Sequence, residues 1–138
     1  MAIERTLAFI KPDAVKRQLV GRILQRFEEK QFKVLAMKML VISSELADKH
    51  YEEHVTKFFY PGLKEFIMSG PVVAFVLEGE DVIAAVRKMM GATDPLEASP
   101  GTIRGDWGVS KTENLIHASD SAQSASKEIN NFFGSALN

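Results

Sequence analysis

The chain has no cysteine, no excess of either charge and no long apolar run. The first absence excludes disulfides, thiolate nucleophiles and cysteine-held zinc, and it suits a cytoplasmic protein. A formal net charge of −1 leaves no global basic field for nucleic acid or acidic membranes, so any anionic ligand must be held by a local cluster of cations. No apolar segment approaches the roughly 20 residues that cross a bilayer. The start, Met1 to Thr6, lacks the basic region and apolar run of a signal peptide. Neither GxxxxGK[ST] nor a GxGxxG after a strand occurs, so a glycine loop does not cradle phosphate here. Internal repeats, low-complexity tracts and linkers are also missing.

What remains is 138 residues of ordinary globular composition, 46% apolar and 25% charged. That length is expected to form one domain, 1–138, with a core of its own. Thr6 to Ile10 is a compact apolar run stopped by Lys11-Pro12, the pattern of a buried strand. Pro12 to Val15 reads as a helical turn. Val20, Ile23, Leu24 and Phe27 share one face of a helix expected over 20–31. Residues 32–41 suit a strand whose Leu35, Met37 and Met39 form an apolar face, the other face being mixed and less buried. Ser43 or Ser44 can cap a helix reaching about His54. Pro61 begins another helix, residues 71–77 an apolar strand, and residues 81–90 a helix stopped by Gly91.

Residues 92–113 read as irregular, with two prolines and three glycines. A loop of that length in a compact domain is usually functional. Leu115-Ile116-His117 reads as the last strand and residues 121–133 as the last helix, with residues 132–138 ending in at most a short tail. The order β-α-β-α-β-α-β predicts an α+β, ferredoxin-like split βαβ fold. It has a four-stranded antiparallel sheet, helices covering one face and extra helical turns. The strand order itself is not readable.

Several residue types could carry chemistry. His117 closes a strand just before the capping residues Ser119, Asp120 and Ser121, a place that is rigid behind and open in front. Imidazole is a nucleophile available near neutral pH, although a lone strand-end histidine is more often structural. Lys11, Arg87, Thr93, Arg104 and Asn114 sit at strand ends or in the long loop, each individually consistent with a solvated surface. Gly101 and Gly105 suggest a shaped backbone around Arg104. His50 and His54 stand four apart, but the zinc-protease pattern needs glutamate after the first histidine and Tyr51 is there. Phe58-Phe59-Tyr60-Pro61 is either a hydrophobic anchor or, through an exposed ring, a stacking plate for a nucleobase.

Five segments in order resemble the nucleoside diphosphate kinase family: Arg5 to Asp13, Ser69 to Val73, Gly91 to Pro95, Pro100 to Asp106 and Asn114 to Ser121. The resemblance implies a ping-pong reaction. His117 takes the γ-phosphate of a nucleoside triphosphate on Nδ1, then passes it to a nucleoside diphosphate with little base discrimination. It further implies that Lys11 and Asn114 hold ribose and phosphates, that Arg87, Thr93 and Arg104 clamp phosphate, that Tyr51 stands beside the transferred group and that Phe59 stacks on the base. Ser119 and Glu128 orient the histidine. The resemblance also implies Mg²⁺ held through the nucleotide phosphates, with no protein metal site. A homo-oligomer is implied, a tetramer being favoured over a hexamer, and no membrane or nucleic acid is expected as a main partner. Phe58 stands where many relatives have proline, and Lys64 where an apolar residue is usual. A catalytically dead nucleotide-binding relative and a nucleic-acid module on the same sheet are the alternatives.

Overall fold

The computed structural model describes residues 3–137. Met1, Ala2 and Asn138, the extreme ends of the leader and tail readings, lie outside the described residues. The elements run β1 (Ile3–Ile10), α1 (Pro12–Lys16), α2 (Val20–Glu29), β2 (Lys33–Leu40), α3 (Ser44–His50), α4 (Tyr60–Ile67), β3 (Val72–Glu80), α5 (Val82–Met90), α6 (Ile103–Trp107), β4 (Ile116–Ala118), α7 (Ala122–Phe133) and a 3₁₀ turn (Gly134–Leu137). The four strands lie in the order β2-β3-β1-β4, and each neighbouring pair is antiparallel. This is the expected α+β class, with β1 and β3 at the centre.

The expectation that helices cover one face needs correction, because helices lie on both faces. Thr6 to Ile10 and Val72 to Leu77 are buried at every position, so both alternating sets of side chains need cover. Ala8, Ile10, Val73, Phe75 and Leu77 pack against Ile23 and Phe27 of α2 and Val82, Val86 and Met90 of α5. Leu7, Phe9, Val72, Ala74 and Val76 pack against Ala47 of α3, Ile67 of α4, and Ile129 and Phe132 of α7.

Three local expectations also change. The register of β2 against β3 shifts between Val34 and Ala36, so a bulge at Leu35 removes that residue from the face of Met37 and Met39. Leu35 joins the core on the α7 side, while Met37 and Met39 are 55% and 61% exposed on the sheet edge. The helix expected to reach His54 ends at His50. The irregular stretch contains α6, started by Thr102, whose side chain accepts from the Gly105 N–H. Gly105 is required there by contact: a Cβ would stand 2.0 Å from the Ser99 carbonyl oxygen.

Lys64, unusual by resemblance, pairs with Asp48 at 2.9 Å, and Asp48 also accepts from the Tyr60 hydroxyl at 2.7 Å. The short helix α4 is thereby tied to α3. Among the described residues, no helix is long and apolar enough to cross a membrane.

Candidate active site

His117 is the middle residue of β4, the short strand at one edge of the sheet. It pairs across the ladder with Phe9, and their rings stack at 5.0 Å. The imidazole therefore lies on the sheet face covered by α3 and α7. Its rigidity comes from the chain on either side. Before the strand, Leu115 is fully buried with φ at +81°. The Ile116 N–H closes a three-residue turn onto the Asn114 carbonyl at 3.0 Å. A leucine in that backbone region is strained, and such strain persists only where the surroundings enforce it. The expected strand start at Leu115 thus gives way to a turn, and β4 begins at Ile116.

After the strand, Ser119 is completely buried. Its Oγ accepts from the Leu7 N–H at 3.3 Å and donates to Glu128 Oε1 at 2.8 Å. It is Ser121, not Ser119, that caps α7, accepting from the Ser124 N–H. Glu128 of α7 is then placed so that the same Oε1 meets His117 Nε2 at 2.8 Å. Burial, followed by the positive charges of Lys11, Arg87 and Arg104, depresses the His117 pKa to about 3, so the ring is neutral at physiological pH. A carboxylate accepts, so Nε2 carries the ring proton and Nδ1 keeps its lone pair. Burial raises the Glu128 pKa, and the Ser119 hydrogen bond opposes that shift.

The cations converge from distant parts of the chain. Lys11, at the end of β1, is 7% exposed and donates from Nζ to Asn114 Oδ1 at 2.7 Å. Asn114 Nδ2 donates to the Thr93 carbonyl at 2.9 Å. Burial, helped by the Arg104 charge, lowers the Lys11 pKa to about 8. Arg87, on α5, donates to the Ala118 carbonyl at 3.1 Å, one residue beyond the histidine. Arg104 is buried and carries a scaffolding load that sequence reasoning did not foresee. Its Nε donates to Asn114 O at 3.2 Å, and its two terminal nitrogens donate to Gly91 O at 3.3 Å and Ile116 O at 2.7 Å. A guanidinium has five N–H groups, so donors remain for an anion. Burial and the neighbouring Arg87 lower its pKa to about 10.

The remaining residues stand further out. Thr93 is exposed, and its contact here is through its backbone carbonyl. Phe59 is 43% exposed and belongs to an outer aromatic group with His54 at 5.6 Å and Phe58 at 5.8 Å. Tyr51 lies between the two zones, 6.4 Å from the ring of His54 and 4.5 Å from that of His50. Burial pushes its phenol well above the ordinary value. Phe58, at 95% exposed, is not the anchor of α4; Tyr60, which is buried, fills that role. Sequence reasoning passed over His50, whose ring meets His117 edge-on at 4.5 Å. Its helical spacing to His54 was the wrong signal, because α3 ends at His50 and the contact is with β4.

A neutral imidazole held by a carboxylate at Nε2 and feeling the positive charges of Lys11, Arg87 and Arg104, on an antiparallel α+β sheet, defines a class: a nucleotide phosphotransferase domain. Comparison with known proteins makes this specific. The nucleoside diphosphate kinase family model matches residues 4–137, and the chain belongs to that family. It is 60% identical over 127 residues to the nucleoside diphosphate kinase of Methanocorpusculum labreanum, covering 92% of this chain and 85% of that one. It is 58% identical over 131 residues to that of Thermus thermophilus, covering 95% and 96%. Among solved structures, the apo enzyme of Encephalitozoon cuniculi superposes with a TM-score of 0.95 at 44% identity, covering 98% of this chain and 92% of that one. The Halobacterium salinarum enzyme in complex with CDP gives 0.93 at 48% identity, covering 96% and 88%.

Proposed function

We propose that this chain moves the γ-phosphate of a nucleoside triphosphate to a nucleoside diphosphate in two half-reactions through a phosphohistidine on His117 Nδ1. The observation that carries this reading is the Nε2–Glu128 contact at 2.8 Å. It leaves Nδ1 as the nitrogen with a free lone pair. In the first half-reaction, Nδ1 attacks the γ-phosphorus, a bond forms from nitrogen to phosphorus, and the bond to the β,γ-bridging oxygen breaks. Positive charge grows on the ring as this happens, and Glu128 lies against the Nε2 proton to stabilise it. The second half-reaction reverses these steps with a different diphosphate. One base site then serves both nucleotides in turn.

Phosphoryl transfer asks a protein chiefly for positioning and for neutralisation of the equatorial oxygens. Lys11, Arg87 and Arg104 supply the charge, and Asn114, Thr93 and Tyr51 the neutral donors. Among the described residues, the only cluster with metal-ligating potential is rich in imidazole, not the oxygen set that Mg²⁺ prefers. We assign Mg²⁺ to the nucleotide phosphates, where it adds charge neutralisation. Phe59, 43% exposed, offers a stacking face, and stacking tolerates every base, which supports low base specificity. The CDP bound by the Halobacterium salinarum relative supports a nucleotide as the ligand of this chain.

We further read residues 1–138 as one domain of a cytoplasmic homo-oligomer, a tetramer being favoured over a hexamer. Met37, Met39 and Val41, exposed along and just beyond the edge strand β2, support self-association. Exchange of phosphate between ATP and a second diphosphate tests the activity. Phe59→Ala should weaken purine and pyrimidine substrates alike, and a loss confined to one base would overturn the low-specificity reading. A mass measurement in solution decides the assembly.

A further inference from the structure

The mechanism leaves His50 without a task, although its half-buried ring lies against the nucleophile. Its ring lies edge-on to His117, Phe9 and Phe132, with centroids 4.5, 5.3 and 5.6 Å away. Its Nδ1 is buried and has no hydrogen-bond partner. One ligand atom from each of His50, His117 and Glu128 lies within 4.8 Å of the other two. All three residues line a single cleft of about 500 Å³, whose walls also carry Glu52, Glu53 and Asp120. The one lysine in those walls, Lys127, is already paired with Glu52.

We propose that His50, His117 and Glu128 form a binding site for a transition-metal ion of the zinc class, and that filling it arrests the nucleophile. Two imidazoles and a carboxylate are a donor set that Zn²⁺ accepts, with a fourth position left for water. Magnesium, which wants oxygen donors in an octahedron, does not fit this set, so the site is distinct from the ion on the nucleotide. Metal bonds of about 2.0–2.1 Å bring ligand atoms to about 3.3 Å from one another, so small side-chain rotations close the cluster. The Ser119 hydroxyl on Glu128 Oε1 at 2.8 Å supplies the outer hydrogen bond that steadies a ligating carboxylate. The acidic walls of the cleft give a cation a favourable route in.

Arrest follows from proton placement and rests on the phosphohistidine reading. Nε2 of His117 is the nitrogen facing Glu128. A metal there takes the Nε2 lone pair, and the single proton of the neutral ring then resides on Nδ1. No proton leaves the ring, but Nδ1 no longer has a lone pair with which to attack phosphorus. The metal also replaces the Glu128 contact that stabilises positive charge on the ring.

The test uses chelator-treated protein without nucleotide, titrated with Zn²⁺ by calorimetry and with Co²⁺ by visible absorption. One Zn²⁺ per chain is expected, with the intense visible bands of four- or five-coordinate cobalt. His50→Gln should weaken Zn²⁺ binding by at least about tenfold and abolish those bands. Equal affinity in the two proteins, or pale octahedral cobalt in the native protein, would overturn the site. Should His50→Gln fail to fold, the ring resonances of His50 and His117 in the native protein decide: both move on adding Zn²⁺, and if either stays the site is refuted. Labelling of His117 from γ-labelled ATP should slow in proportion to zinc occupancy and recover with chelator; labelling indifferent to occupancy overturns the arrest. Metal-free protein that never labels on His117 would sink the phosphohistidine reading instead, while the cobalt spectrum would still judge the metal site.

Discussion

Replacing Glu128 separates orientation from charge at the nucleophile. Its Oε1 meets both His117 Nε2 and Ser119 Oγ at 2.8 Å. In Glu128→Gln the amide oxygen can accept from both, so the geometry and the tautomer are kept while the negative charge is lost. Hydrogen bonds to charged groups contribute about 1.5–3 kcal/mol and neutral ones about 0.5–1.5. The difference, roughly 1–1.5 kcal/mol, corresponds to about a tenfold slower phosphorylation of His117. Glu128→Ala also removes the orientation, and loss of such a partner typically costs up to about 100-fold. Single-turnover labelling with γ-labelled ATP, run across ATP concentration, separates chemistry from binding. The rate constant should fall and the ATP affinity should hold, because Glu128 sits on the side of the ring away from Nδ1. Ser119→Ala combined with Glu128→Ala should cost less than the sum of the two, since they act through one network. A Glu128→Ala protein that labels within twofold of the native rate, or that loses only ATP affinity, would refute the reasoning.

Three further outcomes are expected. The value of kcat/KM reports groups of the free enzyme, so it should decline as pH rises through about 8, where Lys11 loses its proton; a profile flat to well above that value would remove Lys11 as a phosphate ligand. Burial, together with neighbouring positive charge, depresses His50 and His117 to about 3 from the ordinary histidine value of 6.5. Below about 6.5 the unfolded chain therefore binds protons that the folded chain refuses, and stability should fall as pH drops from there toward 3. Denaturant titration at several pH values checks this, and His50→Phe should flatten part of the slope. Gly105→Ala forces a Cβ onto the Ser99 carbonyl and should lower stability by about 1–3 kcal/mol; a midpoint unchanged in denaturant would show that the Ser99 loop yields to the added methyl at no cost.

The sheet was legible because each central strand carries an unbroken apolar run, Leu7 to Ile10 and Val72 to Leu77, and such runs have few other solutions in a globular chain. The same pattern could not say that both faces carry helices, since burial on two sides does not name what covers them. Leu115 misled because apolarity marks burial and is blind to the sign of φ; it is buried in a turn, not in the strand. The β2 faces were misjudged because one bulge at Leu35 reverses the alternation beyond it. At the site, residue identities came from the family resemblance, and only the fold shows Lys11 touching Asn114 across 103 positions of sequence. Arg104 was legible as a cation but not as a strut for three backbone carbonyls. His50 was weighed against its helical neighbour His54, while its partners come from β4 and α7.

The central claim is that His117 carries the phosphate. The direct measurement is to mix the protein with γ-labelled ATP and Mg²⁺, quench, map the label by peptide mass spectrometry under alkaline conditions, and chase a parallel sample with unlabelled CDP. An acid-labile label is expected on His117, appearing on CTP during the chase and absent from His117→Ala. A label that resists acid, maps to another residue or stays on the protein during the chase would contradict it.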